Sequence, residues 1–465
     1  MNSAPSAALI RKYDRNGPRY TSYPTALQFT AAFGPEQHAL VLAGSREDAP
    51  LSVYVHLPFC ASPCYYCACT KVITRDSTQG DAYVRRLRRE IELQAALLPP
   101  GRPITQLHLG GGTPTFLNPA QLEQVLEALG HHLVLDQGPG REFSIEIDPR
   151  TVQAETLRRL AALGFNRASF GIQDFDPAVQ RAVNREQSAA QVAGLMDAAR
   201  HAGFDSLSVD LIYGLPLQTP QSFQRTLDQV IELRPDRISA YSYAHMPRRF
   251  VPQRQILDEQ LPPAQTKLEL LRLTTSRLLD AGYVHIGMDH FALPGDELAA
   301  ALANGTLQRN FQGYSTRGGL DLLGLGMSAI SRVGDAYSQN ARTLKTWNQA
   351  IDAGRLAVDR GHALTADDRL RRDVIGAIMC AGTVDFGRLE AAHAVAFEEY
   401  FRSELAALRG LADDGLVEPL EGATRGFRVT PSGRYLLRAV AMPFDAYLPR
   451  AAADQVMSGP YSRVV

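Results

Sequence analysis

The 465-residue chain has no run of 18 or more apolar residues, which excludes a membrane-spanning helix. Residues 1–15 contain no continuous apolar stretch of the secretory kind, so a cytoplasmic protein with no membrane partner is expected. Charge of one sign is not in surplus either. The 48 basic and 49 acidic side chains leave a net charge of −1, which excludes molecule-wide attraction to nucleic acid and confines any anion site to a local feature. Cysteine is scarce, five residues in all, and without a leader these read as metal or redox groups before disulfides. A second Cys/His pair at ligand spacing is missing, which argues against a structural zinc site built from two separated pairs. What is present is the balance of an ordinary globular protein, 45% hydrophobic and 21% charged, long enough for one large domain with appendages or for two to three domains.

From residue 50, short β-rich runs alternate with longer stretches of helical periodicity. Strands are predicted over 52–56, 106–109, 143–147, 167–171, 207–211 and 237–241, and helices over 80–98, 119–133, 154–163, 188–202 and 220–233. The last helix opens with Thr219 as cap and Pro220 in its first turn. Six consecutive β/α units require a parallel sheet with right-handed crossovers, and their regular repeat favours a barrel or partial barrel over an open two-sided sheet. Out-of-place polar residues cluster where each predicted strand ends. These are the cysteines after strand one, Gly110-Gly111-Gly112-Thr113 after strand two, Glu146 and Asp148 at strand three, and Gln173 at strand four. Asp210 ends strand five, and Tyr243-Ala244-His245 follow strand six. In barrel enzymes that C-terminal rim is the active-site face.

Cys60, Cys64, Cys67 and Cys69 fall within ten residues, with three, two and one residues between them, while Cys380 stands alone in an apolar stretch and reads as a buried small hydrophobe. Four thiols so tightly spaced do not suit one tetrahedral metal. An iron–sulfur cube held by three thiolates suits them better and leaves one iron open for chemistry. Phe59, Tyr65 and Tyr66 are placed to shield it from water.

The spacing Cys60-x-x-x-Cys64-x-x-Cys67 resembles the signature of the radical S-adenosylmethionine superfamily. Its flanks, Tyr54-Val55-His56-Leu57-Pro58-Phe59 and Ala68-Cys69-Thr70, are similar to the oxygen-independent coproporphyrinogen III oxidase family of haem biosynthesis. The likeness runs the whole chain, through Arg19-Tyr20-Thr21-Ser22-Tyr23-Pro24, Val183-Asn184-Arg185-Glu186-Gln187, Gly287-Met288-Asp289-His290-Phe291, Arg309-Asn310-Phe311-Gln312-Gly313-Tyr314 and Gly324-Leu325-Gly326-Met327.

The resemblance implies a partial (β/α)6 barrel of the radical S-adenosylmethionine type with a mostly helical, winged-helix-like C-terminal domain. On that pattern residues 1–50 form an N-terminal segment over the barrel, 51–335 the barrel, 336–362 a connector and 363–465 the C-terminal domain. It implies a [4Fe–4S] cluster on Cys60, Cys64 and Cys67, with Cys69 near it but not ligating. One S-adenosylmethionine bound to the open iron would be cleaved reductively to a 5′-deoxyadenosyl radical, lined by Tyr54, Gly111, Glu146, Ala244 and Ile330. A second S-adenosylmethionine is implied beside Tyr66, Gly112, Thr113, Gln173, Arg185 and Asp210. Tyr66 stands where the family often has Phe, which keeps the ring and adds a hydroxyl. The implied substrate is coproporphyrinogen III, the implied reductant a protein such as a flavodoxin or ferredoxin, and the expected state a monomer. A haem chaperone is the alternative within the superfamily, disfavoured by Cys69 and by the Arg19–Pro24 motif, both of which those relatives lack.

For the substrate carboxylates, Arg248 and Arg249 beyond strand six are nominated, with Arg19 as rival. The C-terminal part reads as helices over 367–379, 389–408 and 431–441 around a hairpin. Its winged-helix look points to DNA, but residues 361–440 hold ten basic and twelve acidic side chains, so no nucleic-acid partner is expected.

Overall fold

The computed structural model describes residues 5–449 together with Tyr461 and Arg463. The chain packs as two compact units, one drawn from 28–262 and 319–363, the other from the N-terminal residues to 27, from 263–318 and from 364 onward.

The first unit carries the six β/α repeats. Its strands are β1 (Leu51–Leu57), β2 (Pro103–Gly111), β3 (Glu142–Ile147), β4 (Arg167–Gln173), β5 (Ser206–Tyr213) and β6 (Arg237–Ser242). The helices between them are α1 (Thr78–Ala95), α2 (Pro119–His132), α3 (Ala154–Ala162), α4 (Ala189–His201) and α5 (Pro220–Leu233). Each predicted strand and helix is present, shifted by at most three residues at an end. Local chemistry starts the helices: Asn118, Ser188 and Thr219 each accept a backbone N–H at the N-terminus, and Pro119 and Pro220 follow two of them. Such a cap contributes about 1 kcal/mol.

All neighbouring pairs in the order β6-β5-β4-β3-β2-β1 are parallel. Beyond β1 the sheet continues with β7 (Asp321–Leu325), parallel to β1, and then with β8 (Ile330–Val333), β9 (Ala336–Asn340) and β10 (Val358–Ala363), each antiparallel to the one before. β1 is therefore interior to the sheet, and six of its seven residues are buried. Residues 336–362, expected as a connector, supply β9 and most of β10. Antiparallel neighbours need no helical crossover, so the alternation ends there while the sheet does not.

The second unit contains a three-stranded antiparallel sheet, Thr383–Asp385, Gly426–Val429 and Val417–Pro419, beside the helix Ala366–Cys380. The helix expected over 389–408 is three pieces, Phe386–His393, Phe397–Tyr400 and Arg402–Asp413, because Ala394 takes a left-handed conformation and ends the first. Phe386, Phe397, Phe401 and Phe444 fill its core, and Tyr13, Tyr20 and Tyr23 of the N-terminal segment join them. Cys380 is buried beside Ile286 and Tyr314, as its apolar surroundings predict. Among the described residues no helix is long and apolar enough to cross a membrane.

Candidate active site

The loop after β1 carries the four clustered cysteines, and backbone hydrogen bonds fix where it starts and ends. Val72 N donates to Pro58 O at 2.7 Å and Thr74 N to Cys60 O at 3.0 Å, closing the loop on itself. His56, buried at the end of β1, donates from Nε2 to Thr70 O at 3.0 Å and accepts from the Tyr54 hydroxyl at Nδ1, 3.1 Å away. A carbonyl can only accept, so the ring is the Nε2–H tautomer, and its burial lowers its pKa and keeps it neutral. His56 thus has both nitrogens committed to holding the cysteine loop.

All five cysteines are free thiols. Each of the three in the signature has a donor beside its sulfur. Thr113 Oγ1 lies 3.5 Å from Cys60 Sγ, Arg185 Nη1 3.4 Å and Arg150 Nη2 3.5 Å from Cys64 Sγ, and Cys69 N 3.5 Å from Cys67 Sγ. Burial pushes the Cys60 thiol up to about 11. A hydrogen bond from the Cys69 thiol, helped by the charge of Lys71, pulls Cys67 down to about 5. Among the described residues no three His, Cys, Asp or Glu side chains converge closely enough to hold a single metal ion. A cube takes one thiolate at each of three separate irons, the donor set that three free thiols on one loop supply. The three thiols therefore fit a [4Fe–4S] cluster.

At the end of β2 the glycines serve close packing. Gly111 has φ +115°, and a Cβ there would lie 2.6 Å from the His56 ring; one on Gly112 would lie 2.7 Å from the Pro58–Phe59 backbone. Their N–H groups are already used. Gly111 N donates to Glu146 Oε2 at 3.1 Å, Gly112 N to Leu57 O at 2.8 Å and Thr113 N to Phe59 O at 2.8 Å. Glu146 also meets His108 Nε2 at 3.3 Å, and His108 stacks on the Tyr54 ring at 5.8 Å. Burial opposes ionisation of Glu146, but the His108 hydrogen bond and charge and the Gly111 N–H outweigh it, so the carboxyl sits below its ordinary value and is ionised at neutral pH. Its side chain is 44% exposed, so the charge stays accessible from solvent.

Arg185 forms the second buried knot. Its Nη1 donates to Asp148 Oδ2 at 3.1 Å as well as to Cys64, and its Nη2 donates to Gly171 O at 2.7 Å. Gly171 has no room for a side chain, since a Cβ would lie 2.8 Å from Arg185 Nη2. Gln173, two residues on, is left-handed at φ 68° where β4 ends. Asp210 on β5 accepts from Ser169 Oγ at 3.0 Å, and burial, reinforced by the charge of Glu146, pushes its carboxyl up to about 6.

Tyr66 and Ala244 are joined by Gln253, which is buried and donates from Nε2 to the Tyr66 carbonyl at 2.9 Å and to the Ala244 carbonyl at 3.2 Å. The turn leading to Ile330 is clamped from α1. Gly326 N donates to Glu90 Oε2 at 2.7 Å, and Met327 N donates to the Tyr83 hydroxyl at 2.9 Å, which itself donates to His56 O at 2.7 Å. Most of the sequence-predicted residues thus lie at or just beyond the C-terminal ends of β1–β6, while Tyr54 and Asp210 sit within β1 and β5, Arg185 in the segment just before α4, and Ile330 at the start of β8. His108, Arg150, Gln253 and Glu90 were not foreseen, and Asp148, one of the polar residues at the end of β3, anchors both Arg150 and Arg185. Only His108 left a trace in the sequence, sharing the polar face of β2 with Gln106 and Gly110.

The nominated substrate arginines are placed otherwise. Arg248 and Arg249 are exposed, and Arg19 is ion-paired with Asp289 in the second unit.

A partial parallel barrel with a three-thiol loop at its C-terminal rim defines a radical S-adenosylmethionine enzyme, and residues 54–230 match the model of the Radical SAM superfamily. The chain is 50% identical over 444 residues to the oxygen-independent coproporphyrinogen III oxidase of Pseudomonas aeruginosa, covering 95% of this chain and 96% of that one. It is 48% identical to the Escherichia coli enzyme of the same name, with 97% of each covered. The solved structure of coproporphyrinogen III oxidase from Escherichia coli, described as a radical SAM enzyme, superposes with a TM-score of 0.91 at 46% identity, covering 96% of this chain and all of that one. The chain belongs to the oxygen-independent coproporphyrinogen III oxidase family.

Proposed function

We propose that this chain converts coproporphyrinogen III to protoporphyrinogen IX without oxygen, decarboxylating two propionate side chains to vinyl groups. The observation that carries the reading is the set of three free thiols on the barrel rim, each with its own donor, beside an ionised Glu146. Family members use a [4Fe–4S] cluster and two molecules of S-adenosylmethionine. When bound, these supply an electron and a carbon radical that takes a hydrogen atom from the propionate β-carbon; carbon dioxide leaves, and one electron passes to an acceptor. The chain's own residues position and charge-balance. Cys60, Cys64 and Cys67 hold the cluster, while Arg150 and Arg185 offset the thiolate of Cys64. Glu146 binds the ammonium or ribose hydroxyl of the first S-adenosylmethionine, with Tyr54, Gly111 and the backbone at Ala244 and Ile330 completing its walls. Tyr66, Gly112, Thr113, Gln173, Arg185 and Asp210 take the second. A haem chaperone is the weaker reading, because near-complete coverage at about half identity is to oxidases.

The reading includes a small reducing protein as electron source and a monomeric enzyme in the cytoplasm, where five free thiols persist. The test is anaerobic turnover: enzyme reconstituted with iron and sulfide, given dithionite and S-adenosylmethionine, should form protoporphyrinogen IX with 5′-deoxyadenosine. Deoxyadenosine without porphyrin product would refute the substrate.

Asp210 gives the cofactor affinity a pH dependence. S-adenosylmethionine is a sulfonium cation, attracted to Asp210 only when the carboxyl is ionised. As pH falls through about 6 the group takes up a proton and the attraction is lost. Binding measured by equilibrium dialysis on reconstituted enzyme should weaken by about fourfold from pH 7.5 to 5.5 in wild type, the fall in the ionised fraction of a group titrating near 6. Asp210→Asn should bind weakly at both pH values; retention of the full pH dependence in that variant would exclude Asp210 as its source.

A further inference from the structure

The loop that follows β6, residues 246–261, has two unlike faces. Its inner face is fixed to the cysteine loop. Gln253, 1% exposed, accepts from Met246 N at 2.6 Å while donating to the Tyr66 carbonyl, one residue from Cys67. Ile256 is buried in an apolar cluster with Tyr243 and Leu215, against which Tyr65, Tyr66 and Leu261 pack. The loop is therefore the outer cover of the segment between Cys64 and Cys67.

Its outer face shows Arg248, Arg249 and Arg254 to solvent, and its acidic residues, Asp258 and Glu259, stand together at its far end, where Asp258 pairs with His245 at 3.0 Å. Among them stand Val251, 63% exposed, and Leu257, 50% exposed; Leu217, 46% exposed, joins the patch because its N–H donates to Gln260 O at 2.8 Å. Nine large hydrophobic residues are exposed among the described residues, and three of them are here. Apolar tips grouped with arginines have the composition of an interface, since Arg is enriched at such surfaces and grouped exposed apolar residues mark them. A solvated loop has no need of the apolar tips.

Resting on the function proposed above, we infer that this patch docks a small acidic one-electron carrier protein. An electron has to reach the cluster from outside, and a carrier seated here would be separated from the thiols by one loop whose inner side already touches Tyr65 and Tyr66. The arginines attract an acidic face at long range, and the apolar tips give up water on contact.

The test compares two electron sources on cluster-matched enzyme, wild type against the double variant Arg248→Glu/Arg249→Glu and the separate variant Val251→Asp. With reduced flavodoxin, the rate of cluster reduction followed by stopped-flow absorbance should fall about tenfold or more in the double variant and lose its dependence on ionic strength. With dithionite, both cluster reduction and turnover should match wild type. Unchanged reduction by flavodoxin in both variants would overturn the inference. So would an equal loss with both electron sources, which would return the arginines to the substrate, and so would failure of both flavodoxin and a plant-type ferredoxin to reduce the wild type. Because cluster reduction is read without porphyrinogen, a wrong substrate assignment leaves this result standing.

Discussion

Alanine at Cys60, Cys64 or Cys67 should leave anaerobically reconstituted protein with no cluster, whereas wild type binds about four irons and four sulfides. Each substitution removes one of three thiolates, and no other thiol is placed to replace it. Cys380 is buried in the second unit's core, and Cys69 is occupied with Cys67, to which it directs both its thiol and its backbone N–H. Cys69→Ala should therefore keep the cluster. Iron and sulfide analysis together with the visible absorption of the brown protein decides the matter. Loss of the cluster in Cys69→Ala with retention in Cys67→Ala would exchange the two assignments. Air should bleach colour and activity together in wild type, because the open iron is the one without a thiolate.

The part of this architecture that could be read in advance is the part coded locally. Strands β1 to β6 are short runs of β-branched and aromatic residues, the helices between them announce themselves by caps such as Thr219-Pro220, and the thiol spacing lies within ten residues. Strand β7 escaped because its glycine, and the one just after it, answer to contacts from elsewhere. A Cβ on Gly324 would lie 2.5 Å from the Ile330 carbonyl, and one on Gly326 would lie 2.5 Å from His56 O, so a segment that reads as a glycine-rich loop is a closely packed interior strand and its turn. Glu90 escaped for the opposite reason. It sits in a charged stretch of α1, Arg85-Arg86-Leu87-Arg88-Arg89-Glu90-Ile91-Glu92, that reads as a solvated face, yet it shares the buried side with Tyr83, Leu87 and Ile91. Arg150 and Gln253 owe their roles to partners 86 and 187 positions away, which no local pattern reports. Exposure corrected the nomination of Arg248 and Arg249, since a pair of adjacent arginines looks alike in sequence whether it faces a cleft or water.

Arg185→Gln should be the most damaging single change outside the thiols. The side chain is 8% exposed and joins three things, the Asp148 carboxylate, the Gly171 carbonyl and the sulfur of Cys64. Glutamine is shorter and uncharged, so Asp148 keeps only Arg150 as a cation and the Gly171 carbonyl loses the shorter of its two side-chain donors, keeping Gln187 Nε2 at 3.1 Å. Breaking a buried ion pair by removing one partner costs about 3–5 kcal/mol, of which the remaining Arg150 pair should recover a part. Two measurements separate the structural loss from the functional one. The positive charge beside Cys64 stabilises the reduced form of the cluster, so its removal should make the reduction potential more negative by about 60 mV, the shift that corresponds to a tenfold change in a one-electron equilibrium. Binding of S-adenosylmethionine to the second site, where the guanidinium is proposed to act, should weaken by about tenfold to a hundredfold, as expected for loss of a charge-assisted pair. Arg185→Lys should restore the potential, because it restores the charge, but only part of the binding, because an ammonium lacks the fork that reaches Asp148 and Gly171 together. A variant with wild-type potential and wild-type binding, destabilised only to heat, would reduce Arg185 to a structural residue.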